Sequence, residues 1–211
     1  MNRCGTGPSR PEMKKMKEFF NWFFNERREL IVRMAEGRLT QKDTLVGFTR
    51  HTPAIVSSGP GGLNASIKGV GIVHRDEFLP ETLEKIDSYL REHPRPAPRT
   101  SSDFLINEIY VPEKVDPLRI STIELALRHT YQNLREGGPA TLLFYEPPSV
   151  TYELRCRTEC FHDGPLFRFV NGLHDVFHGL RNDWSKTPVY IFTIEEIYDN
   201  HPKRMGERIY P

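Results

Sequence analysis

The chain has 211 residues, 37% of them hydrophobic and 11% aromatic, which is enough for one domain with a full core and too apolar for a disordered segment. Its 29 basic and 28 acidic side chains leave a formal charge of +1, so no global field recruits nucleic acid or a membrane surface, and a small molecule or a protein is the favoured partner. Three cysteines, Cys4, Cys156 and Cys160, are too few for a disulfide framework and wrongly spaced for a four-cysteine zinc site. No stretch approaches the roughly 20 apolar residues of a membrane span, and no signal-peptide core follows the basic N-terminus, so a reducing, cytoplasmic setting is the expectation.

Residues 1–11, with Gly, Pro and Ser, read as a flexible N-terminal arm ahead of a single domain over residues 12–211. Residues 12–36 lack Pro and Gly, and Met16, Phe19, Phe20, Phe23, Phe24, Leu30, Ile31 and Met34 recur at helical intervals, with Gly37 as a stop. This predicts one long helix or two. The FFNWFF stretch is too apolar for a solitary surface helix, so it must pack on a sheet or on a second subunit, and it is the expected homodimer surface. Residues 44–49 (TLVGFT) and 52–57 (TPAIVS) have the β-branched content of strands, and SGPGG at 58–62 is a turn. LNASIK (63–68) and GVGIVH (69–74) then read as a returning strand with a glycine-permitted bend.

Residues 81–91 predict a short helix and 94–98 (PRPAP) a stiff connector, within a piece at 76–103 that reads as an insertion. Residues 103–111 read as a strand and 122–135 as a helix ended by Gly137–Gly138. Residues 140–145 and 151–161 make a hairpin around Pro147–Pro148, 166–180 a helix, 188–193 a final strand, and 194–198 the start of a polar tail. Strands joined by short turns outnumber helices. The expected fold is therefore mainly β (α+β), a small antiparallel barrel with peripheral helices.

The order of these segments resembles the flavin-binding split-barrel proteins related to pyridoxamine 5′-phosphate oxidase. A strand–turn–strand pair ends in NASIKG (64–69), which is of the N-x-S-x-K-G type. A helix carrying Thr130 and Asn133 leads through Pro139 into the apolar strand ATLLFY, and the next strand ends near DGP at 163–165. The C-terminal run from Pro188, with its Pro-Lys element at Lys203 and the later Arg208, is similar to the tail of one branch, although His201 stands where a cysteine is common. The resemblance implies an antiparallel split β-barrel of about six strands, FMN as cofactor, a homodimer with flavin at its interface, and hydride transfer to or from a small-molecule substrate. It also implies a cofactor set of Asn64, Ser66, Lys68, Arg128, Thr130, Asn133, Lys203 and Arg208.

Physical chemistry runs beside this. A flavin mononucleotide needs its phosphate held by cations, hydroxyls and amides, and Ser66 and Lys68, two apart on a strand, put a hydroxyl and an ammonium on one face. A deazaflavin or haem remains an alternative cofactor, and a non-catalytic flavin- or haem-binding protein an alternative function. A third reading is a metal-dependent hydrolase using His174 and His178, four apart on a predicted helix, but no third ligand is evident. Cys156 and Cys160 share one face of their strand and read as core, with Arg155 and Arg157 on the other. No side chain stands out as a catalytic acid or base.

Overall fold

The computed structural model describes residues 10–94, 97–179 and 183–211. The first nine residues of the expected arm with Cys4, residues 95 and 96 of the connector, and Leu180 of the expected last helix lie outside the described residues. The N-terminal helical run is α1 (Arg10–Phe20), a π-helical turn over Asn21–Asn25, and α2 (Glu26–Ala35), followed by α3 (Gln41–His51). Then come β1 (Ala54–Ser57), β2 (Asn64–Ile67), β3 (Gly71–His74), α4 (Leu79–Glu92), α5 (Pro98–Phe104) with a π-helical extension over Leu105–Ile109, and β4 (Val115–Ile123). The second half runs α6 (His129–Leu134), β5 (Gly138–Glu146), β6 (Val150–Phe161), α7 (Gly164–His178), β7 (Val189–Asp199) and β8 (Glu207–Tyr210).

All strand pairings are antiparallel, in the order β2-β1-β5-β6-β7-β4-β3, with β8 added to β7. The two edges of this sheet, β2 and β3, are consecutive in the chain and separated only by residues 68–70. So short a link spans little more than 14 Å even when extended, so the sheet must curl until its edges meet. Six strand runs, counting β2 and β3 as one bent strand, make the split barrel, with the helices peripheral to it. At the bend the chains approach closely: a Cβ on Gly69 would sit 3.1 Å from His51 Nε2, tighter than an ordinary contact. Alternation along β6 puts Tyr152, Leu154, Cys156 and Thr158 inside and Arg155, Arg157 and Glu159 outside. Burial pushes the Cys156 thiol up to about 12, as befits a core cysteine.

The aromatic N-terminal run is consumed within the chain. Phe19, Trp22, Phe23 and Phe24 are all buried, and the π-helical turn, by widening the helix, brings three consecutive residues to the buried side. The Trp22 and Phe23 rings meet Phe144 of β5 at 5.6 and 5.8 Å, and Phe19 meets Tyr152 of β6 at 5.1 Å. Trp22 Nε1 donates to Glu146 at 2.8 Å, and the same carboxylate takes Arg50 of α3 at 2.7 Å. Of the two alternatives left by the sequence, the sheet is the partner, so this stretch offers no exposed patch for a dimer.

Four expectations about elements are corrected. Residues 44–49 lie in α3, not a strand: Thr40 accepts from the Asp43 amide at 3.1 Å and Asp43 accepts from the Thr40 amide at 3.0 Å, a capping box that outweighs the β-branched content. Residues 103–111 are mostly helical, because Pro98 opens a helix that buries Leu105 and Ile109, four apart, with Tyr110 buried just after it. Within 122–135 only His129–Leu134 is helical, since β4 continues to Ile123 and a turn follows, with Leu127 at φ +52. The final strand does not yield to a tail at residue 194 but runs on to Asp199, and β8 pairs back on it. Within 76–103 the described residues are mostly helical: α4 packs on α7, Gly172 leaving room for Ile86, and buried His74 of β3 bridges Thr82 Oγ1 at 2.9 Å and the Ile109 carbonyl at 2.8 Å.

Candidate functional site

At one end of the barrel the β1–β2 hairpin meets α6. Asn133 is buried and fully used there: its Oδ1 accepts from the Gly61 amide at 2.7 Å while its Nδ2 donates to the Gly62 carbonyl at 2.8 Å and to Ser57 Oγ at 3.2 Å. The approach is close enough that a Cβ on Gly61 would lie 2.7 Å from the His129 carbonyl oxygen, which explains the glycine-rich turn. One turn back, Thr130 Oγ1 accepts from Asn64 Nδ2 at 2.7 Å and shares a hydrogen bond with Ser66 Oγ at 2.9 Å. Alternation along β2 puts Asn64 and Ser66 on one face, and α6 brings Thr130 to both. Arg128, the residue before α6, is exposed, and its side chain has no acceptor among the described residues.

Lys68 faces the same way but goes elsewhere. Its ammonium lies 2.8 Å from Oε2 of Glu124, a carboxylate 1% exposed. Glu124 Oε1 accepts from the amides of Ala126 and Leu127 at 2.8 and 3.0 Å, and Tyr190 donates to Oε2 at 3.2 Å. Burial by itself pushes the Glu124 carboxyl up, but Lys68 and the two amides outweigh it and hold the carboxyl below its ordinary value. The cation is thus compensated before any ligand arrives.

The two C-terminal candidates are not brought to this cluster. Lys203 is exposed in the β7–β8 turn, and Arg208 pairs with Glu196 at 3.3 Å. β8 is separated from β2 by β7, β6, β5 and β1 in the sheet. Beside them His201 Nδ1 and Arg204 both engage the buried Asp199, at 2.7 and 3.1 Å, which fixes the turn.

His174 and His178 do share a face of α7, with ring centroids 4.4 Å apart. Among the described residues no group of three His, Cys, Asp or Glu is placed to hold a metal ion. The pair instead borders a cavity of about 80 Å³ whose wall includes His51 and Arg27. Burial, then the charge of His174, holds the His178 imidazole below its ordinary value. Arg27 and His51 were missed in the sequence. The available signal was position: Arg27 falls three and four residues from Phe24 and Phe23 and from Leu30 and Ile31, on the apolar stripe, where a charge is out of place.

No family model matches this chain, and no curated protein matches it. Among solved structures it is similar to HupZ of Group A Streptococcus, at 11% identity and TM-score 0.45, covering 78% of this chain and 95% of that one. It is also similar to a protein of the pyridoxinephosphate oxidase family from Clostridium acetobutylicum, related to general stress protein 26, at 13% identity and TM-score 0.41, covering 72% and 80%. An F420 reductase matches at 11% identity and TM-score 0.40, covering 75% and 97%. The structural neighbours are pyridoxamine 5′-phosphate oxidase-like split-barrel proteins. At these identities and scores, what the site can do follows from its own residues. No helix among the described residues is long and apolar enough to cross a membrane.

Proposed function

We propose that the chain binds flavin mononucleotide and acts as an FMN-dependent oxidoreductase on a small molecule. The observation that carries this reading is the Asn64–Thr130–Ser66 cluster next to Arg128, which fits a phosphate better than a structural role. Of the two hydroxyls, one donates to the other and one proton is left over. The Asn64 amide keeps a second N–H, and Arg128 adds a planar fork of donors with no described acceptor. Asn133 contributes by holding the turn, not by touching the ligand. Bound flavin supplies hydride-transfer chemistry; the chain's own residues bind and orient it, and none offers itself as acid or base.

The test is a pair of titrations. Arg128→Ala, at an exposed position, removes a charge-assisted contact worth about 1.5–3 kcal/mol, so FMN binding should weaken about ten- to a hundredfold. Riboflavin, which lacks the phosphate, should bind both proteins alike. A protein that is colourless when purified and refuses added FMN ends the proposal, and a Soret band in its visible spectrum would replace flavin with haem.

A homodimer remains part of the reading, on a different surface. Ala54 pairs with both Ile67 and Leu143, so the outer face of β2-β1-β5 carries a contiguous row, with Ile67 64% and Leu143 39% exposed and Tyr145 nearby at 53%. Such a row supports a protein contact. Sedimentation should show a dimer at micromolar concentration and a monomer for Leu143→Glu. A parent chain that sediments as a monomer sinks this part.

A further inference from the structure

Arg27 of α2 is 8% exposed and lies against the rings of Phe23 and Tyr110, 6.0 and 5.8 Å from their centroids. Its Nη1 is buried with no hydrogen-bond partner, and no ion pair to a carboxylate is found for it among the described residues. A guanidinium stays charged in any protein environment, so an uncompensated one in the interior is costly unless something of opposite charge joins it. His51 presents a second such atom: its Nδ1 is also buried and partnerless, under the Phe177 ring at 6.2 Å. Burial, then the charges of Arg27 and His178, holds the His51 imidazole well below its ordinary value, so it is neutral and its Nδ1 can carry the proton as a donor.

Both side chains line the same cavity of about 80 Å³, between α2, the β2–β3 bend, β4 and α7. No carboxylate lines it, and most of the remaining wall is apolar, including Val70, Leu105, Val170 and Leu173. We propose that this cavity binds a small carboxylic acid with an apolar body, its carboxylate on Arg27 and His51 and its body against the apolar wall. A phosphate dianion is the poorer fit, because it brings two charges and polar oxygens on every side, while the wall offers Arg27 as its one permanent cation and is otherwise mostly apolar. The proposal does not rest on the flavin reading, since none of the residues that carry it belongs to the Asn64–Thr130–Ser66 cluster.

The probes are propionate, small enough for the cavity, its neutral isostere propionamide, and inorganic phosphate, with the thermal midpoint as readout. Propionate at tens of millimolar should raise the Tm of the parent chain, while propionamide and phosphate should not. Arg27→Met keeps the apolar stem and removes the buried charge, so it should fold at least as stably as the parent without ligand and lose propionate affinity by at least about tenfold. His51→Leu should weaken propionate too, and it keeps the test standing if Arg27→Met fails to fold. Equal shifts from propionamide or phosphate, no shift from propionate, or an Arg27→Met protein that responds like the parent each overturn the proposal. FMN binding, followed separately by flavin absorbance, should be unchanged in Arg27→Met, so either reading can fail without the other.

Discussion

Phe144→Ala should lower stability by about 3–5 kcal/mol, the usual cost of emptying a buried phenylalanine site, and so lower Tm by roughly 6–20 °C in a chain of this length. Phe144 is fully buried on β5, and its ring is where Trp22 and Phe23 of the N-terminal helical run meet the barrel. The site cannot collapse easily, because Trp22 is also held by its hydrogen bond to Glu146 and by Arg50 over its ring, 5.7 Å from the centroid. Thermal melts of parent and variant should show the loss at every protein concentration. If the helix sealed a subunit interface instead, the loss would grow on dilution, since dimer stability depends on protomer concentration.

That contrast marks how far the sequence could be read. The aromatic helix, the β1–β2 turn, the bent β2–β3 strand and the β5–β6 hairpin were legible because each carries its own local signal: period, glycine, or alternation. Residues 44–49 and 103–111 were misread because β-branched content is a weak signal beside a cap. The T-x-x-D at Thr40–Asp43 and the proline at Pro98 were present in the sequence and decided the outcome. Whether FFNWFF met a sheet or another subunit was not legible, because burial is a property of tertiary contact and both partners satisfy the same pattern. At the site, the NASIKG segment and family order pointed to Asn64, Ser66 and Thr130. The pairing of Lys68 with Glu124 had no local signal, since β3, the helices after it and β4 all lie between the two in the chain.

Lys68→Ala is the sharper test, because it separates a phosphate ligand from a structural cation. Lys68 is 12% exposed and Glu124 1%, so truncating the lysine leaves a buried carboxylate with two amides and the Tyr190 hydroxyl but no cation. Breaking such a pair from one side costs about 3–5 kcal/mol. The sign of the pH dependence follows from Glu124, whose folded-state pKa lies below its ordinary value. Its stabilisation is fully present above the unfolded carboxyl value of roughly 4.3 and is lost as pH falls through the folded one. In Lys68→Ala burial dominates and the carboxyl should rise instead, so the stability gap between parent and variant should be widest near neutrality and narrow on acidification. The double variant Lys68→Met with Glu124→Gln removes both charges together and should recover most of the loss. It should also bind FMN within about threefold of the parent, since three-fold is well under 1 kcal/mol and the ammonium is already committed to Glu124. If the double variant folds well but loses FMN by tenfold or more while riboflavin binding is kept, Lys68 exchanges Glu124 for the phosphate when the cofactor binds, and it belongs to the cradle after all.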